Sequence, residues 1–307
     1  MNDNRLLVIT GPTASGKTSR AVDVSRALGC EIVSADSRQI YRGMDLGTGK
    51  DLEEYGDVPY HMIDIAPAGY RYNLFEYLRD ARAAIDSVRE RGHLPLLCGG
   101  TGLYVESLCR DLRLPEVPEN PDLRAALADM TLEQLTEKLA SMQTLHNTTD
   151  VDSRRRAIRA IEIAEYCRIH PEAAEGMRGE PSRDALIVVV DIPREARRRR
   201  ITERLHARLE AGMADEVRRL IDEGVTAENL IYYGLEYKFV TQFVTGAMGY
   251  DEMVSGLEIA IHQFAKRQMT WFRGMERRGF KLHYLPYDMG RDEFVAEVAR
   301  LLEAMPI

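Results

Sequence analysis

A glycine loop between an apolar run and a helical stretch, close to the start of the chain, limits the folds that this sequence can adopt. Residues 6–9 (LLVI) are all apolar, which is typical of a strand buried on both faces of a sheet. Residues 11–18 (GPTASGKT) follow with the spacing G-x-x-x-x-G-K-T, and residues 21–28 have a helical pattern. The order strand, glycine loop, helix is the context in which this spacing forms a phosphate-binding P-loop.

The residue types in the loop suit a polyphosphate ligand. Glycine lets backbone N–H groups approach an anion without an intervening Cβ, and the positive end of the next helix faces the same point. Lys17 adds a full charge, and the Thr18 hydroxyl is suited to hold Mg²⁺, the cofactor that we expect. The predicted phosphate-binding residues are Gly11, Pro12, Thr13, Ala14, Ser15, Gly16, Lys17 and Thr18.

Further apolar runs predict strands, and helical segments separate them. The runs lie at 31–36, 94–98 and 185–191, and residues 74–91 have helical apolar spacing. This alternation predicts an α/β fold, a P-loop core whose parallel sheet is flanked by helices. Ligands bind at the carboxyl ends of such strands, where Asp36 follows the second run. We expect the strand before Asp36 to neighbour the P-loop strand.

The composition changes between about residues 112 and 181. A proline-rich connector at 114–121 is followed by helical patterns without a strand signal. We therefore predict a first core part at 1–112, an all-helical insertion at 113–180, and a second core part at 181–307. The predicted helices are 122–129, 132–142 and 153–168 in the insertion, and two long charged helices, 195–223 and 250–278, in the second core part.

Charge and cysteine content argue against some classes of protein. The 307 residues carry a formal net charge of −8, so the surface as a whole does not indicate nucleic-acid binding, although the arginines are clustered. The four cysteines are scattered without a CxxC pair, which argues for reduced thiols rather than a zinc site. Neither a basic-then-apolar leader nor an apolar run of about 20 residues is present. These features predict a cytoplasmic protein without a membrane partner.

Two residues at strand ends offer reactive groups whose roles the residues alone leave open. Asp36 could accept a proton or hold Mg²⁺ through water, and it could equally form an Asx turn or a helix N-cap. Thr101, in the loop GGTG at 99–102, has a hydroxyl that can donate to a phosphate oxygen. The glycine-rich segment 43–50 could wrap an anion or merely turn the chain.

Motifs along nearly the whole chain resemble those of the tRNA dimethylallyltransferases (tRNA isopentenyltransferases) of bacterial type. The matching segments, in family order, are GPTASGKT at 11–18, DSRQIYRGMDLGTGK at 36–50, VPYHMIDI at 58–65, GGTGLY at 99–104, RITERLHARLEAGMADEV at 200–217 and AKRQMTWFR at 265–273. The resemblance implies transfer of a dimethylallyl group from dimethylallyl diphosphate to N6 of adenosine 37, beside the anticodon, in tRNAs that read codons beginning with U. The implied partners are tRNA and dimethylallyl diphosphate, and we expect a monomer.

The same resemblance implies roles for individual residues. Asp36 matches the general base, Thr101 the residue that bonds the bridging oxygen of the leaving diphosphate, and Lys17 a stabiliser of its growing charge. Arg200 and Arg204, four residues apart on one helical face, match paired arginines of which one clamps the diphosphate. The resemblance also implies that the insertion at 113–180 contacts tRNA. The implied tRNA-binding residues are Asp36, Ser37, Arg38, Gln39, Arg155, Arg156 and Arg159.

The chain departs from the family pattern at several positions. Tyr60 replaces a histidine, Arg155 a glutamine and Arg208 a methionine. The family sequence GTAKP reads GTGKD at 47–51, and GYKE is represented only by GLEY at 234–237. None of these changes removes a catalytic group.

Three other functions are compatible with parts of the sequence. A small-molecule or nucleotide kinase is one, because residues 185–191 end in Asp191 as a Walker B strand does. An adenylate isopentenyltransferase acting on free AMP, ADP or ATP is closer in chemistry, and the insertion with Arg156 and Arg159 favours tRNA over it. A non-catalytic RNA-binding module is the third, and Asp36 and Thr101 beside an intact P-loop argue against it.

Overall fold

The computed structural model describes residues 4–143, 151–182 and 184–305 of the chain. It divides the chain into two compact units, of which the larger consists of Met1–Arg110 and Pro181–Ile307 and the smaller of Asp111–Glu180. Within the larger unit, the backbone N–H of Ser182 donates to the backbone oxygen of Cys109 at 2.7 Å. The chain therefore leaves the larger unit and returns to it at one point.

A parallel sheet is the centre of the larger unit, and in the described residues it has six strands in the order β3-β2-β4-β1-β5-β6. The strands are β1 Leu6–Thr10, β2 Cys30–Ser34, β3 Tyr60–His61, β4 Leu94–Gly99, β5 Ala185–Asp191 and β6 Leu282–Pro286. Every residue of β1 and β2 is buried, as expected for strands that are covered on both faces of a sheet. The predicted α/β class, a parallel sheet flanked by helices, is confirmed.

The prediction that β2 neighbours the P-loop strand β1 is wrong. Strand β4 lies between them, because β1 pairs with β4 along one edge and with β5 along the other. The three strand ends are nevertheless level, since Thr10 pairs with Gly99 and Ser34 with Cys98. The segment after β2 therefore reaches the same edge of the sheet as the P-loop.

Helices account for most of the remaining described residues. They are α1 Lys17–Leu28, α2 Leu74–Glu90, α3 Gly102–Cys109, α4 Pro121–Ala126, α5 Leu132–Met142, α6 Arg154–Ile169, α7 Arg194–Glu210, α8 Met213–Asp222, α9 Ala227–Tyr233, α10 Leu235–Val244, α11 Tyr250–Arg277 and α12 Arg291–Glu303. Helices α4, α5 and α6 belong to the smaller unit. Among the described helices, none combines the length and apolarity that a bilayer crossing requires.

Local sequence explains where α2 begins and which face it buries. The Asn73 side chain accepts a hydrogen bond from the Glu76 N–H, and the Glu76 carboxylate accepts one from the Asn73 N–H, which forms a capping box. The predicted apolar spacing gives a buried stripe that includes Tyr77, Ala81 and Ile85. This stripe lies against β2 and β4 and so covers one part of the sheet.

The prediction of one long helix over 195–223 is wrong. Gly212, with φ at +98°, separates α7 from α8. An L side chain is strained in this left-handed conformation, whereas glycine adopts it readily. The break separates the directions of α7 and α8. Both α8 and α9 contact α10. The short helices α9 and α10 were not predicted from the sequence.

The smaller unit has its own apolar core. Leu135 and Leu139 of α5 pack against Ala157 and Ile161 of α6, and all four are buried. The buried Glu162 carboxylate accepts hydrogen bonds from Arg124 and Arg159, which neutralise its charge. Predicted helices 122–129, 132–142 and 153–168 correspond to α4, α5 and α6 within a few residues.

A buried carboxylate ties the amino end of β2 to two neighbouring segments. Glu31 is 3% exposed and forms a two-pronged ion pair with Arg91, at 2.9 Å to Nε and 2.6 Å to Nη2. His61 Nε2 and His93 Nδ1 each lie 2.7 Å from its oxygens. The Arg91 hydrogen bonds, assisted by those of the two histidines and opposed by burial, lower the pKa of Glu31 to about 2.

We expect Glu31→Gln to reduce the change in the free energy of unfolding between pH 7 and pH 2. The ionised carboxylate stabilises the fold fully above its unfolded pKa of about 4.5, and this contribution is lost as pH falls towards 2. At pH 7 the substitution should cost about 2–3 kcal/mol, and the cost should disappear near pH 2. Thermal unfolding from pH 2 to 7 measures it, with Asp57→Asn as the control because Asp57 forms an exposed pair with Arg26. An equal cost at every pH would contradict the assignment.

Candidate active site

A cavity of about 910 Å³ opens at the carboxyl edge of the sheet, within the larger unit. Its walls come from the P-loop, from the segments that follow β2 and β4, and from faces of α7 and α11. The loop around Gly47 and the start of α10 complete the lining. Topology explains this position, because the level ends of parallel strands bring loops that are distant in sequence to one edge.

The P-loop is held in shape by a glutamine from α11. Gln268 Oε1 accepts the Thr13 N–H at 2.8 Å, and Gln268 Nε2 donates to the Gly100 oxygen at 2.7 Å. Gly16, with φ at +86°, turns the chain directly into α1, whose first N–H groups carry the positive end of the helix dipole. Of the predicted phosphate-binding residues, Thr13, Ala14, Gly16, Lys17 and Thr18 line the cavity, whereas Gly11, Pro12 and Ser15 are buried.

Lys17 is a cation that has no anionic partner among the described residues. Its ammonium group lies in the cavity lining and forms neither an ion pair nor a hydrogen bond there. Burial lowers the pKa of Lys17, Cys98 and the negative charge of Asp36 oppose this effect, and the positive charges of Arg204 and Arg208 add to it. An anion that enters the cavity would remove this electrostatic cost.

Asp36 and Thr101 are brought together by the loops after β2 and β4. Thr101 Oγ1 accepts the Ser37 N–H at 3.0 Å, and the Thr101 N–H donates to the Ala35 oxygen at 3.1 Å. Asp36 Oδ1 accepts the Arg38 N–H at 2.9 Å, which is an Asx turn. Oδ2 of Asp36 has no hydrogen-bond partner in the described part of the chain, and the residue lines the cavity. The structural and the functional interpretation of Asp36 are therefore compatible.

The arginines of α7 face the P-loop. Arg204 donates from Nη2 to Thr13 Oγ1, and Arg200 lies with Cζ 5.8 Å from the Tyr287 ring centroid. Burial, and then the neighbouring charge of Arg208, lower the pKa of Arg204 to about 10. All three arginines line the cavity at a spacing of four residues, which places them on one face of α7. Sequence analysis had not assigned Arg208 to this site.

The residues predicted to bind tRNA divide between the two units. Asp36, Ser37, Arg38 and Gln39 line the cavity. In the smaller unit, the exposed Arg156 pairs with Asp152 at 2.6 Å, and Arg159 donates to the Val117 oxygen at 2.8 Å as well as to Glu162. Arg155 is exposed. Arg159 thus has a structural role in addition to any contact with a ligand.

The glycine-rich segment 43–50 turns the chain around a carboxylate of the protein itself. Glu216 accepts the N–H groups of Asp45 and Leu46 at 2.8 Å each and that of Gly47 at 3.1 Å. Tyr237 donates its hydroxyl to the same carboxylate at 2.6 Å. These amides are therefore already satisfied, and the segment forms a wall of the cavity rather than an open anion site.

Two further carboxylates bear on the function of this site: Asp191 on the kinase alternative, and Glu236 on the charge of the cavity. Asp191 is exposed at the end of β5 and does not line the cavity, so it does not act as a Walker B residue there. Glu236, at the start of α10, does line the cavity, and burial raises its pKa. No motif in the sequence had identified Glu236, because its approach to α7 depends on how α8, α9 and α10 fold back.

Comparison with known proteins gives the class. Residues 39–275 match the family model described as IPP transferase, and residues 4–55 match the model described as isopentenyl transferase. The chain is 56% identical over 307 residues to tRNA dimethylallyltransferase 2 of Bacteroides fragilis, with 99% of each chain covered. It is 55% identical over 303 residues to tRNA dimethylallyltransferase 1 of Porphyromonas gingivalis, covering 97% of this chain and 99% of the relative.

Solved structures agree with this assignment. The tRNA isopentenylpyrophosphate transferase of Bacillus halodurans is similar with a TM-score of 0.72 and 30% identity, over 97% of each chain. A eukaryotic dimethylallyltransferase acting on tRNA shares the fold, with a TM-score of 0.80 at 20% identity over 98% of this chain and 80% of the other.

The fold and these comparisons together define a transferase built on a P-loop-like core. The chain belongs to the IPP transferase family, the family of the tRNA dimethylallyltransferases. It is accordingly a prenyltransferase of tRNA modification.

Proposed function

We propose that the protein transfers the dimethylallyl group of dimethylallyl diphosphate to N6 of adenosine 37 in tRNAs that read codons beginning with U. The observation that carries this proposal is a single cavity in which the P-loop, Thr101 and the free oxygen of Asp36 meet. Such a cavity suits a reaction in which a diphosphate leaves while a proton is removed. We also propose that the enzyme acts as a monomer in the cytoplasm.

The cationic and hydroxyl residues of the cavity lining suit the diphosphate of the donor. Lys17 offers a charge that forms no ion pair with any residue that the structure describes, and Arg204 and Arg200 add two guanidinium groups that can bind phosphate oxygens bidentately. The Thr18 hydroxyl is a hard oxygen ligand at the first turn of α1, and it fits Mg²⁺, which prefers such ligands together with phosphate oxygens and water. When bound, Mg²⁺ would neutralise part of the diphosphate charge. ATP carries the same diphosphate group and is expected to compete weakly.

The apolar residues of the cavity lining suit the dimethylallyl group. Leu103, Leu235, Ile261, Phe264 and Trp271 all contribute to the lining. A branched five-carbon chain would be removed from water by contact with these side chains. The lining is therefore compatible with a prenyl diphosphate.

We assign Asp36 and Thr101 to the two ends of the substitution. In the proposed step, N6 of adenine attacks C1 of the dimethylallyl group, the C1–O bond breaks, and its electron pair leaves with the diphosphate. The proton from N6 passes to Asp36, whose Oδ2 is available, and the Thr101 hydroxyl donates to the bridging oxygen of the leaving group. The adenine must leave the stack of the anticodon loop to reach this cavity.

An assay with radiolabelled dimethylallyl diphosphate tests the function. The protein is incubated separately with an anticodon stem-loop containing A37, with the same stem-loop carrying G37, and with AMP, ADP and ATP. We expect label only in the A37 stem-loop, and more when its anticodon reads codons beginning with U. Equal labelling of AMP would indicate an adenylate isopentenyltransferase instead. Phosphoryl transfer from ATP without prenyl transfer would indicate a kinase.

Arginines of the smaller unit are expected to bind tRNA phosphates. The double change Arg156→Ala and Arg159→Ala should weaken stem-loop binding several-fold and reduce the slope of log K against log salt by up to about 2. Affinity titrations between 50 and 200 mM salt, roughly the range over which counterion release is pronounced, measure this slope.

A control is needed because Arg159 also supports the fold. Arg168→Ala changes another arginine of α6, which pairs with Glu165 and is exposed, and it should leave the slope unchanged. Thermal unfolding of the double variant separates loss of contacts from loss of structure. An unchanged slope in a folded double variant would remove these arginines from the tRNA interface.

A further inference from the structure

Arg208 is a buried guanidinium whose hydrogen-bonding capacity is mostly unused. The residue is 9% exposed and donates one hydrogen bond, from Nη2 to Asp51 Oδ2 at 2.9 Å. A guanidinium has five N–H donors, and no other hydrogen bond joins this one to a residue in the described ranges. Buried polar groups are nearly always satisfied, and Arg208 lines the cavity. Its remaining donors are therefore available to a ligand there.

Gly49 provides the space that Arg208 occupies. A Cβ at position 49 would lie 2.6 Å from Cζ of Arg208, well inside contact distance. Gly49 also has φ at +63°, so its backbone accommodates this close approach without strain. Positions 49, 51 and 208 were noted above as departures from the family pattern. Arg208 contacts both of the other two, since it pairs with Asp51 and packs against Gly49.

Arg208 belongs to a cluster of cations that face the same cavity. Its charge acts on both Arg204 and Lys17, since it lowers the pKa of each after the larger effect of burial. Asp51 is its ion-pair partner, and the Asp51 side chain is 48% exposed, so it compensates the cluster only in part. Asp36, Glu54 and Glu236 also line the cavity near these cations, and burial raises the pKa of Glu54 and Glu236, which favours their uncharged forms. Three neighbouring cations with this partial compensation are suited to a ligand with more than one negative charge.

We propose that Arg208 is a further diphosphate-binding residue, held in the cavity wall by Asp51 and admitted there by Gly49. The inference rests on the proposed function, because it takes the ligand of the cavity to be a prenyl diphosphate. Arg208 then binds the diphosphate both in the donor and in the released product. Asp51 fixes one edge of the guanidinium and leaves the other donors for phosphate oxygens.

A double-mutant cycle on inorganic diphosphate binding, measured by calorimetry with Mg²⁺, tests the proposal. Arg208→Met should weaken binding about 10- to 100-fold, because hydrogen bonds to a charged partner are lost. Gly49→Ala should weaken it as well, since the new Cβ displaces the guanidinium. In the Arg208→Met background Gly49→Ala should cost little more, so the two effects should not add. Arg208→Lys should recover part of the affinity by restoring charge without the planar fork.

Control variants separate the possible failures. Arg218→Met changes an exposed arginine of α8 that pairs with Asp215, and it should bind diphosphate as the unchanged protein does. If Arg208→Met lowers the melting temperature but not the diphosphate affinity, Arg208 is only structural and the inference is wrong. If Lys17→Met abolishes binding while Arg208→Met does not, the inference fails and the proposed function stands. If the unchanged protein binds no diphosphate, both fail together.

Discussion

Asp36→Asn is expected to lower kcat about 10²- to 10⁴-fold while leaving diphosphate affinity nearly unchanged. The expectation follows because the two carboxylate oxygens of Asp36 have different roles. Oδ1 accepts the Arg38 N–H, and an asparagine oxygen can take over that hydrogen bond, so the turn after β2 should keep its shape. The other oxygen becomes an amide NH₂, which cannot accept the proton from N6.

Single-turnover prenyl transfer and calorimetry with inorganic diphosphate measure the two quantities separately. Asp191→Asn is the matched control, because Asp191 also ends a strand of the sheet but lies outside the cavity lining. Its rate should equal that of the unchanged protein. Near-normal turnover of Asp36→Asn would remove Asp36 from the role of base, and equal losses in rate and in diphosphate affinity would point to a distorted loop instead.

Lys17→Met and Lys50→Met should have different consequences, because Lys50 is buried within the fold whereas Lys17 lines the cavity. Lys50 donates to the Tyr41 oxygen at 2.7 Å and pairs with Asp45 and Asp64, so its charge is compensated within the fold. Lys17 has no such partner among the described residues. Lys17→Met should therefore reduce kcat/KM about 10³-fold, as expected for loss of a charge-stabilising group, without lowering the melting temperature.

Lys50→Met should instead act on stability. It leaves Asp45 and Asp64 without their cation, which we expect to cost about 2–3 kcal/mol after allowance for the exposure of Asp45. Chemical denaturation of both variants, together with steady-state kinetics at a temperature where each is folded, measures the contrast. A Lys17→Met protein that loses stability but keeps its activity would contradict the assignment of Lys17 to the leaving group.

Contiguous sequence patterns predicted the parts of the site that lie next to strands. The run 6–9, the glycine loop and the start of α1 form one local unit, so strand, loop and helix could be assigned together. Asp36 and Thr101 follow buried strands, and parallel strands bring such positions to one edge. The positions of Asp36 and Thr101 at this edge could therefore be predicted even though the predicted strand order was wrong.

Contacts between distant segments could not be predicted in the same way. Gln268 lies 255 residues from Thr13 along the chain, and nothing in its local pattern marks a side chain that holds the P-loop. Arg208 was noted as a departure from the family, but its place in the cavity depends on the missing Cβ of Gly49. One long charged helix was predicted over 195–223, but Gly212 adopts a left-handed conformation that ends α7 before α8 begins.

The short distance between Cys109 and Ser182 has a consequence for how this protein family can evolve. A backbone hydrogen bond of 2.7 Å joins the two points at which the chain leaves and re-enters the larger unit. The coding segment for 111–180 could therefore be deleted or exchanged by recombination at one locus, and a short turn would rejoin the ends without re-routing a strand. A lineage can in this way acquire a new accessory module while its chemistry is inherited intact, and the same junction is a natural position for grafting an unrelated module in the laboratory.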